Sequence, residues 1–251
     1  MDMSGKRALV TGVSRRAGIG YAIVQRLLEA GASAFVHGWT PHDAAQDWGA
    51  EPGGTAGIAD ELGVGHIEAD FADADAPARV VAAARAALGP LDVLVVNHAR
   101  SGSGSLGELT ADELDAFLHE NVRASLLLVK EFAAQHEGDA GRIVLMTSGV
   151  HKEPMTSELA YAVSKGALLV ATSTLAAELA DRGITVNCVN PGPTDTGWGL
   201  AEIDPTGRMP AGRWGEPDDA ARLIAWLCSD DARWLTGQMI DSEGGFRRAG
   251  R

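Results

Sequence analysis

Short apolar runs alternate along the chain with longer segments whose apolar residues recur every three or four positions. An apolar run bounded by polar residues is typical of a buried parallel strand, and the longer spacing is typical of a helix packed on one face. We predict strands over 8–10, 34–36, 65–69, 93–96, 142–146, 184–189 and 238–240. We predict helices over 21–30, 56–62, 76–88, 110–134 and 158–179, and one more that begins at 217.

The regularity of this alternation predicts the fold class. Strands that are joined through helices run parallel, and right-handed crossovers place the helices on both faces of the sheet. We therefore expect an α/β protein with a Rossmann-type, doubly wound parallel sheet. No Pro/Ser-rich linker divides the chain, so residues 1–251 are expected to form a single domain in which 40–54 and 193–216 are loops.

Composition and charge exclude several classes of partner. The 251 residues include 21 Lys+Arg and 34 Asp+Glu, which gives a net charge of −13. Because nucleic acids and anionic membranes are bound by clustered positive charge, we expect neither as a partner. Cys188 and Cys228 each lie in an apolar segment and predict neither a disulfide framework nor a metal site. The start of the chain lacks a signal-peptide pattern, so we expect a cytoplasmic protein.

A glycine-rich segment, TGVSRRAGIG at residues 11–20, separates the first predicted strand from the first predicted helix. Glycines let the backbone approach a pyrophosphate, and the N-terminus of a helix supplies free N–H groups. A tight turn without a ligand would need similar residues. The position between a strand and a helix nevertheless favours a dinucleotide site.

Three residues in the second half of the chain suggest proton-transfer chemistry. Tyr161 and Lys165 are four positions apart on a predicted helix and share one face, and Ser148 follows the fifth predicted strand. An ammonium near a phenol lowers its pKa, which suits the pair to act as a general acid or base on a carbonyl or alcohol. A solvated Tyr and Lys on an exposed face is the alternative interpretation of the pair alone.

The combination of these motifs resembles the short-chain dehydrogenase/reductase family over nearly the whole chain. The glycine loop differs from the family pattern, because five residues rather than three lie between Gly12 and Gly18. The sequence NHAR at 97–100 stands where the family has Asn-Asn-Ala-Gly, and NPGPT at 190–194 resembles the segment against the nicotinamide. The nearest resemblance within the family is to 3-oxoacyl-acyl-carrier-protein reductases.

The resemblance implies a role for each of four catalytic residues. Tyr161 would donate the proton, and Lys165 would lower its pKa and bind the nicotinamide ribose. Ser148 would orient the substrate oxygen, and Asn121 would hold a water that links the lysine to solvent.

The resemblance also implies a set of cofactor contacts spread over the chain. The implied contacts are Gly12, Ser14, Arg15, Arg16, Gly18, Ile19, Gly20, Gly38, Asp70, Phe71, Asn97, Ala99, Tyr161, Lys165, Pro191, Gly192, Thr194 and Thr196. Taken singly, Asn97, Asn121 and Asp70 are also explained by ordinary backbone hydrogen bonding. Their order along the chain favours the family interpretation.

The end of the second predicted strand indicates which dinucleotide is bound. An NAD site usually places an acid there to bind the ribose 2′-hydroxyl. The expected position is Gly38, and the first acid after it is Asp43. Arg15 and Arg16 in the glycine loop are candidates to pair with a 2′-phosphate, unless both are solvated. We therefore expect NADP(H) to be favoured over NAD(H).

The substrate is weakly encoded. We expect a lid over about 194–215, in which Trp198 and Met209 suggest an apolar wall or pack the loop on the body. Arg213 suits an anionic carrier or, alternatively, a helix entry. The expected substrate is a small carbonyl or alcohol, with an acyl thioester as a further possibility.

The preferred hypothesis is an NADP(H)-dependent carbonyl reductase acting on a ketone or 3-oxoacyl group. A secondary-alcohol dehydrogenase would use the same residues. An enoyl reductase is disfavoured, because that branch has Tyr-x6-Lys and Leu168 stands seven residues after Tyr161. A cofactor-sensing protein without turnover is the alternative from another class, and such proteins typically lack the tyrosine or the lysine.

The two long predicted helices suggest an oligomer. Family relatives are commonly tetramers, and helices 110–134 and 158–179 can cover a sheet face and still expose apolar side chains, unless all of their leucines face the sheet. We expect a homotetramer with D2 symmetry, built partly from exposed leucines on these helices. The candidates are Leu126, Leu127, Leu168, Leu169 and Leu175.

Overall fold

A computed structural model describes residues 1–138, 140–197 and 200–248. Its centre is a seven-stranded sheet in which every neighbouring pair of strands is parallel. The strands are β1 (Arg7–Thr11), β2 (Ser33–Gly38), β3 (Gly65–Glu68), β4 (Val93–Val96), β5 (Gly141–Met146), β6 (Ile184–Asn190) and β7 (Met239–Asp241). Each corresponds to a predicted apolar run.

Helices connect the strands and cover both faces of the sheet. They are α1 (Ile19–Glu29), α2 (Thr40–Ala44), α3 (Gly54–Leu62), α4 (Ala76–Leu88), α5 (Ala111–Phe117), α6 (Ala124–Gln135), α7 (Leu159–Leu179) and α8 (Pro217–Cys228). Local sequence explains several starts. Thr110 caps α5 by accepting a hydrogen bond from the Glu113 N–H at 3.2 Å, and Pro217 occupies the first turn of α8.

The strand order is β3-β2-β1-β4-β5-β6-β7. The chain winds outwards in one direction through β1 to β3 and then in the other through β4 to β7. The order reverses between β1 and β4, so the loops that follow these two strands diverge and leave a crevice at the carboxyl edge. The predicted doubly wound α/β fold in a single domain is confirmed.

Apolar side chains form one cluster on each face of the sheet. The four residues of β4 are all buried, as its unbroken apolar sequence predicts. One cluster lies under α1 and α8, with Ile23 and Ile224 in its centre. The other lies under α4 and α6, with Leu128 and Phe132 fully buried. The two clusters fix the sheet edge from which the functional loops extend.

The structure refines two predicted segments. The loop predicted over 40–54 contains the short helix α2 and the start of α3. The helix predicted over 110–134 is interrupted by a π-helical segment, Leu118–Arg123, between α5 and α6. A π-helical turn admits an extra residue, and such turns are frequent at functional sites. Here the turn contains the buried Asn121.

The two ends of the predicted lid are hydrogen-bonded to each other. The Asp195 N–H donates to the Gly215 carbonyl at 2.8 Å, and the Gly215 N–H donates to the Pro193 carbonyl at 3.0 Å. Met209 is buried, so of the two interpretations of this residue the structure favours packing of the loop on the body. Trp198 lies outside the described residues.

Helix α7 is unusually apolar. Within the described part of the chain, the stretch Leu159–Arg182 is long and apolar enough to cross a membrane by length and composition. In this fold α7 packs along β6, and its buried side chains, among them Leu168 and Thr172, face the domain. The same composition therefore suits a core helix that also has an apolar outer side.

Candidate active site

A cleft of about 1170 Å³ opens at the carboxyl edge of the sheet, at the crevice between β1 and β4. Its volume suits a dinucleotide together with a small molecule. The segments that line it are the glycine loop, the end of β2 with α2, the ends of β3 and β4, the start of α7 and the beginning of the predicted lid.

Most of the predicted site residues meet in this cleft. Those that line it are Gly12, Ser14, Arg15, Gly18, Ile19, Asp70, Phe71, Asn97, Ala99, Ser148, Tyr161, Gly192, Thr194 and Thr196. The predicted residues that are not among its lining are Arg16, Gly20, Gly38, Asn121, Lys165 and Pro191.

The glycine loop forms a cradle that only glycine permits at two positions. Gly12 has φ of +72°, and a Cβ added there would lie 2.7 Å from the His98 Cα. A Cβ at Gly20 would lie 2.5 Å from the Gly12 carbonyl oxygen. Helix α1 begins at Ile19 without a side-chain cap, so its first N–H groups remain available to a ligand. This cradle fits the pyrophosphate of a dinucleotide.

Asn97, at the end of β4, holds the glycine loop in place. Its Nδ2 donates to the Thr11 carbonyl at 3.1 Å and to the Gly12 carbonyl at 3.0 Å. The Thr11 hydroxyl accepts in turn from the Asn97 N–H at 3.1 Å. Asn97 therefore does two things: it hydrogen-bonds backbone groups at the end of β4, and it lines the cleft.

The lengthened glycine loop separates its two arginines. The Arg15 guanidinium lines the cleft, donates to the Thr196 carbonyl at 2.6 Å and lies 4.7 Å from the centre of the Trp48 ring. Arg16 points the other way, where its guanidinium contacts Glu51 and Glu61 at 2.6 Å each. The hypothesis that Arg16 pairs with a 2′-phosphate is not supported, because its charge is held between two carboxylates outside the cleft.

Gly38 is more crowded than the sequence suggested. It is buried, and a Cβ there would lie 2.3 Å from Thr55 Oγ1 and 3.1 Å from Ser14 Cβ. A direct contact between Gly38 and a cofactor is not supported, since α3 covers this position with Thr55. The end of β2 has no acid, as the sequence shows. A carboxylate side chain at position 38 would also collide with Thr55.

Sequence reasoning missed the segment after β2 as part of the site. Trp39, His42, Asp43 and Trp48 all line the cleft. The Trp48 Nε1–H donates to Asp43 Oδ1 at 3.1 Å, which fixes the indole under the Arg15 guanidinium. The signal in the sequence was the presence of two tryptophans, Trp39 and Trp48, shortly after the end of β2.

Three aromatic rings stack beside Asp70 on the floor of the cleft. Phe71 lies 4.1 Å from the His37 ring centre and 4.2 Å from that of His98. Burial lowers the pKa of His37 to about 4 and that of His98 well below its usual value, so both imidazoles are neutral near pH 7. The Nε2–H of His37 donates to the Ala69 carbonyl at 2.9 Å, so its buried Nδ1 is an acceptor, and it has no partner among the described residues.

Asn121 connects two segments behind the reacting groups. Its Oδ1 accepts from the Arg100 N–H at 2.7 Å. Its Nδ2 donates to the Arg100 carbonyl at 2.9 Å and to Ser164 Oγ at 2.9 Å. Ser164 Oγ donates in turn to the Tyr161 carbonyl at 2.8 Å. Asn121 thus ties the 97–100 segment to the first turns of α7.

Tyr161 and Ser148 face each other in the cleft. The pKa of Tyr161 is raised to about 12, chiefly by burial; the hydrogen bond with the Ser148 hydroxyl opposes this rise, and the Glu158 carboxylate adds to it. The expected lowering of this pKa by a nearby ammonium is outweighed by burial. The phenol therefore holds its proton throughout the neutral range and is ready to donate it.

Lys165 lies behind Tyr161, with its Nζ 5.8 Å from the centre of the phenol ring. The Nζ donates to the Met146 carbonyl at 3.0 Å, and the side chain is almost fully buried. Burial lowers the pKa of Lys165 to about 8, so the group is mostly charged at pH 7. A charge so buried with one carbonyl partner favours a further acceptor from a bound molecule.

The segment after β6 completes the wall of the cleft. The Asn190 side chain accepts from the Gly192 N–H at 3.0 Å and donates to Glu243 at 2.6 Å. Thr194 Oγ1 donates to the Gly192 carbonyl at 3.2 Å. These contacts hold 190–194 in one conformation beside Ser148 and Tyr161.

Comparison with known proteins gives consistent matches over the whole chain. A family model described as enoyl-(acyl carrier protein) reductase matches residues 12–247. The uncharacterized oxidoreductase YjdA of Bacillus subtilis is 41% identical over 248 residues, which cover 97% of both chains.

Two solved structures are similar throughout. A blue fluorescent protein from a metagenomic library, in complex with NADPH, has a TM-score of 0.85 and 34% identity, covering 98% of this chain and 99% of that one. A short-chain dehydrogenase from Burkholderia cenocepacia in complex with NADP has a TM-score of 0.82 and 37% identity, with the same coverage.

The two tyrosines of the chain make the state of Tyr161 measurable. In a Tyr21→Phe variant, we expect the single remaining phenol to titrate near 12, because burial favours its neutral form. Ultraviolet absorbance of the phenolate as a function of pH measures this value, and Tyr161→Phe in the same background removes the signal. A midpoint at or below about 10 would contradict the environment described for Tyr161.

Proposed function

This chain belongs to the short-chain dehydrogenase/reductase family of oxidoreductases, and on that premise we propose that it reduces a carbonyl compound to a secondary alcohol with NADP(H). The observation that carries the proposal is the convergence of three groups. Ser148 and Tyr161 line the same cleft that contains the glycine cradle, and Lys165 lies directly behind the phenol. The geometry combines a proton donor with a dinucleotide site.

The chain's own residues supply the proton and the orientation. Bound NADPH supplies a hydride for the carbonyl carbon. The Tyr161 phenol donates its proton to the carbonyl oxygen, and the Ser148 hydroxyl donates a hydrogen bond to the same oxygen. Lys165 stabilises the phenolate left behind, since its charge lies behind the ring. We propose that Asn121 supports a water relay to Lys165. Its hydrogen bond to Ser164 positions α7 for this role.

The protonation of Tyr161 favours reduction over alcohol oxidation as the main direction. Burial raises the pKa of Tyr161 to about 12, so the phenol is an acid ready for use at pH 7. A secondary-alcohol dehydrogenase would need the phenolate as a base, which becomes available only as the pH rises. The oxidation of an alcohol is therefore the alternative direction and is expected to improve in alkaline solution.

Reduction of a C=C bond is a weaker candidate, although the matching family model carries an enoyl reductase description. That branch places its lysine seven residues after the tyrosine. Here Leu168 occupies that position and is buried in the core with 1% of its surface exposed. Lys165, four residues after Tyr161, is the cation that lies behind the phenol.

We propose a small ketone as substrate, enclosed by the lid at 194–215. The 3-oxoacyl thioester alternative would benefit from a free cation near the lid for an anionic carrier. Arg213 does not offer one, because its guanidinium lies 2.7 Å from the Asp219 carboxylate at the entry to α8. The helix-entry interpretation of Arg213 is thus the better supported one.

The preference for NADP(H) is proposed on the basis of Arg15. It is the glycine-loop cation that lines the cleft, and its side chain is held between Trp48 and the Thr196 carbonyl. A guanidinium can pair with a 2′-phosphate, and no acid at Gly38 repels one. Two similar structures contain NADPH or NADP, which supports the same preference.

We also propose a D2 homotetramer in the cytoplasm. The outer side of α7 exposes Val163 at 48% and Val170 at 69%, next to Leu126 of α6. These residues line a shallow apolar groove that a second copy would cover. The expected leucine set needs one correction, since Leu168 is buried in the core. Two buried free thiols, Cys188 and Cys228, suit a reducing compartment.

The catalytic assignment predicts separable effects of two substitutions. Tyr161→Phe should lower ketone reduction by about 10²-fold or more, since a positioned general acid contributes that much, while NADPH binding stays nearly unchanged. Lys165→Ala should weaken both reduction and NADPH binding. Steady-state NADPH oxidation across a ketone panel and a fluorescence titration of NADPH measure the two effects. A Tyr161→Phe enzyme with near-normal kcat would refute the assignment.

The two arginines of the glycine loop provide a matched test of cofactor choice. Arg15→Ala should reduce the preference for NADPH over NADH by about tenfold or more, because a charge-assisted hydrogen bond to the 2′-phosphate is lost. Arg16→Ala should leave the ratio unchanged, since its charge is engaged by Glu51 and Glu61. The measurement is the dissociation constant of NADPH and of NADH for the wild type and for each of the two variants. A wild-type preference for NADH would overturn the proposal.

The apolar groove predicts the basis of assembly. Val170→Glu should shift the protein from tetramer towards smaller species, because it places a charge in the covered surface. Leu106→Glu, at a loop residue with 76% exposure, is the control and should remain tetrameric. Light scattering coupled to size exclusion at low micromolar concentration measures the mass. A monomeric wild type, unaffected by NADPH, would refute the tetramer.

A further inference from the structure

The catalytic end of the cleft contains a carboxylate that the proposed mechanism does not use. Glu158 lies three residues before Tyr161 at the start of α7, and both side chains line the cleft. Glu158 is the N-cap residue of α7, and Tyr161 lies in the first turn of the helix that follows it. The negative charge of Glu158 acts on the phenol, since it raises the pKa of Tyr161.

Glu158 lacks a cationic or hydrogen-bonding partner for its side chain within the described residues 1–138, 140–197 and 200–248. Burial by itself raises the pKa of this carboxyl, and no neighbouring group offsets that effect. A half-buried carboxylate without a partner is unfavourable, and a bound cation would remove the penalty.

The backbone fixes Glu158 at this place. The Gly104 N–H donates to the Ser157 carbonyl at 2.6 Å, and the Leu159 N–H donates to the Gly104 carbonyl at 3.2 Å. Residues 101–103, which precede this contact, also line the cleft. The carboxylate therefore lies between two segments of the wall rather than on a free surface.

The cations near the phenol are already engaged. Arg100 lies over the Phe117 ring at 5.6 Å, and that ring is 6.4 Å from the ring of Tyr161. The Arg100 guanidinium is paired with Glu120 at 2.9 Å. Lys165 donates to the Met146 carbonyl behind the phenol. Glu158, in contrast, lines the cleft at this end without a side-chain partner among the described residues.

We propose that Glu158 determines substrate specificity by binding a cationic nitrogen on the carbonyl substrate. The favoured class is amino ketones, in which a protonated amine stands a few atoms from the carbonyl carbon that faces Tyr161. Ketones that carry a carboxylate are disfavoured by repulsion from the same group. This inference rests on the proposed carbonyl reduction and adds the class of substrate to it.

A panel of three ketones of matched size tests the proposal: one with a protonated amine, one neutral and one with a carboxylate. The readout is the ratio of kcat/KM for the amino ketone to that for the carboxylated ketone. We expect a wild-type ratio of about tenfold or more, the size of one charge-assisted contact. Glu158→Gln should bring the ratio to about unity. Glu29→Gln, an equal charge change on the exposed side of α1, should leave it unchanged.

Two results would overturn the proposal: a wild type that does not favour the amino ketone, or a preference that survives in Glu158→Gln. Failure of the proposed reduction is recognised separately, because the neutral ketone would then show no Tyr161-dependent turnover. In that case, calorimetric binding of the amino ketone to the NADPH-loaded proteins still tests Glu158. Equal affinity of wild type and Glu158→Gln would reject the inference, and a loss of about tenfold would support it.

Discussion

The contact between the end of β4 and the glycine loop is the constraint on which the site depends. Asn97 donates to the carbonyls of Thr11 and Gly12 at the point where the strand order reverses. Helix α1 can begin beside them because Gly20 has no side chain. A Cβ at that position would lie only 2.5 Å from the Gly12 carbonyl oxygen. The free N–H groups of α1 are thereby aimed into the cleft, and the rest of the cleft is built around them.

Burial sets the chemistry at the other end of the cleft. The same desolvation raises the pKa of Tyr161 to about 12 and lowers that of Lys165 to about 8, since it penalises the charged form of each group. The two pKa values therefore move apart, that of the phenol upwards and that of the ammonium downwards. The site thus holds a protonated phenol in front of a lysine whose ammonium donates to the Met146 carbonyl.

The charged side chains around the cleft differ in whether they are paired with an opposite charge. Arg16, Arg100 and Arg213 are each engaged by carboxylates. Arg15 instead lies between an indole and a backbone carbonyl, with its charge available to the cleft. Glu158 is an anion near Tyr161 that has no side-chain partner in the part of the chain that the structure describes. A cation at the glycine loop and an anion beside the phenol thus mark the two ends of the cleft.

The sequence by itself determined the fold class, the order of the elements and most of the cleft. Apolar runs such as 93–96 predict buried strands because burial of both faces leaves no polar position. The residues at the ends of those strands, among them Asn97 and Ser148, could be assigned to one edge, since parallel strands end there together. The spacing of Tyr161 and Lys165 likewise required only helical geometry.

Only the tertiary structure decided which charges are free and which positions have room. Arg15 and Arg16 are adjacent in sequence, yet one faces the cleft and the other meets Glu51 and Glu61 from distant segments. Thr55, which is 17 residues after Gly38, fills the space beside Gly38, the position where an NAD site usually has an acid. Pairing, crowding and desolvation arise from neighbours that the chain brings together only on folding, and local sequence patterns do not record them.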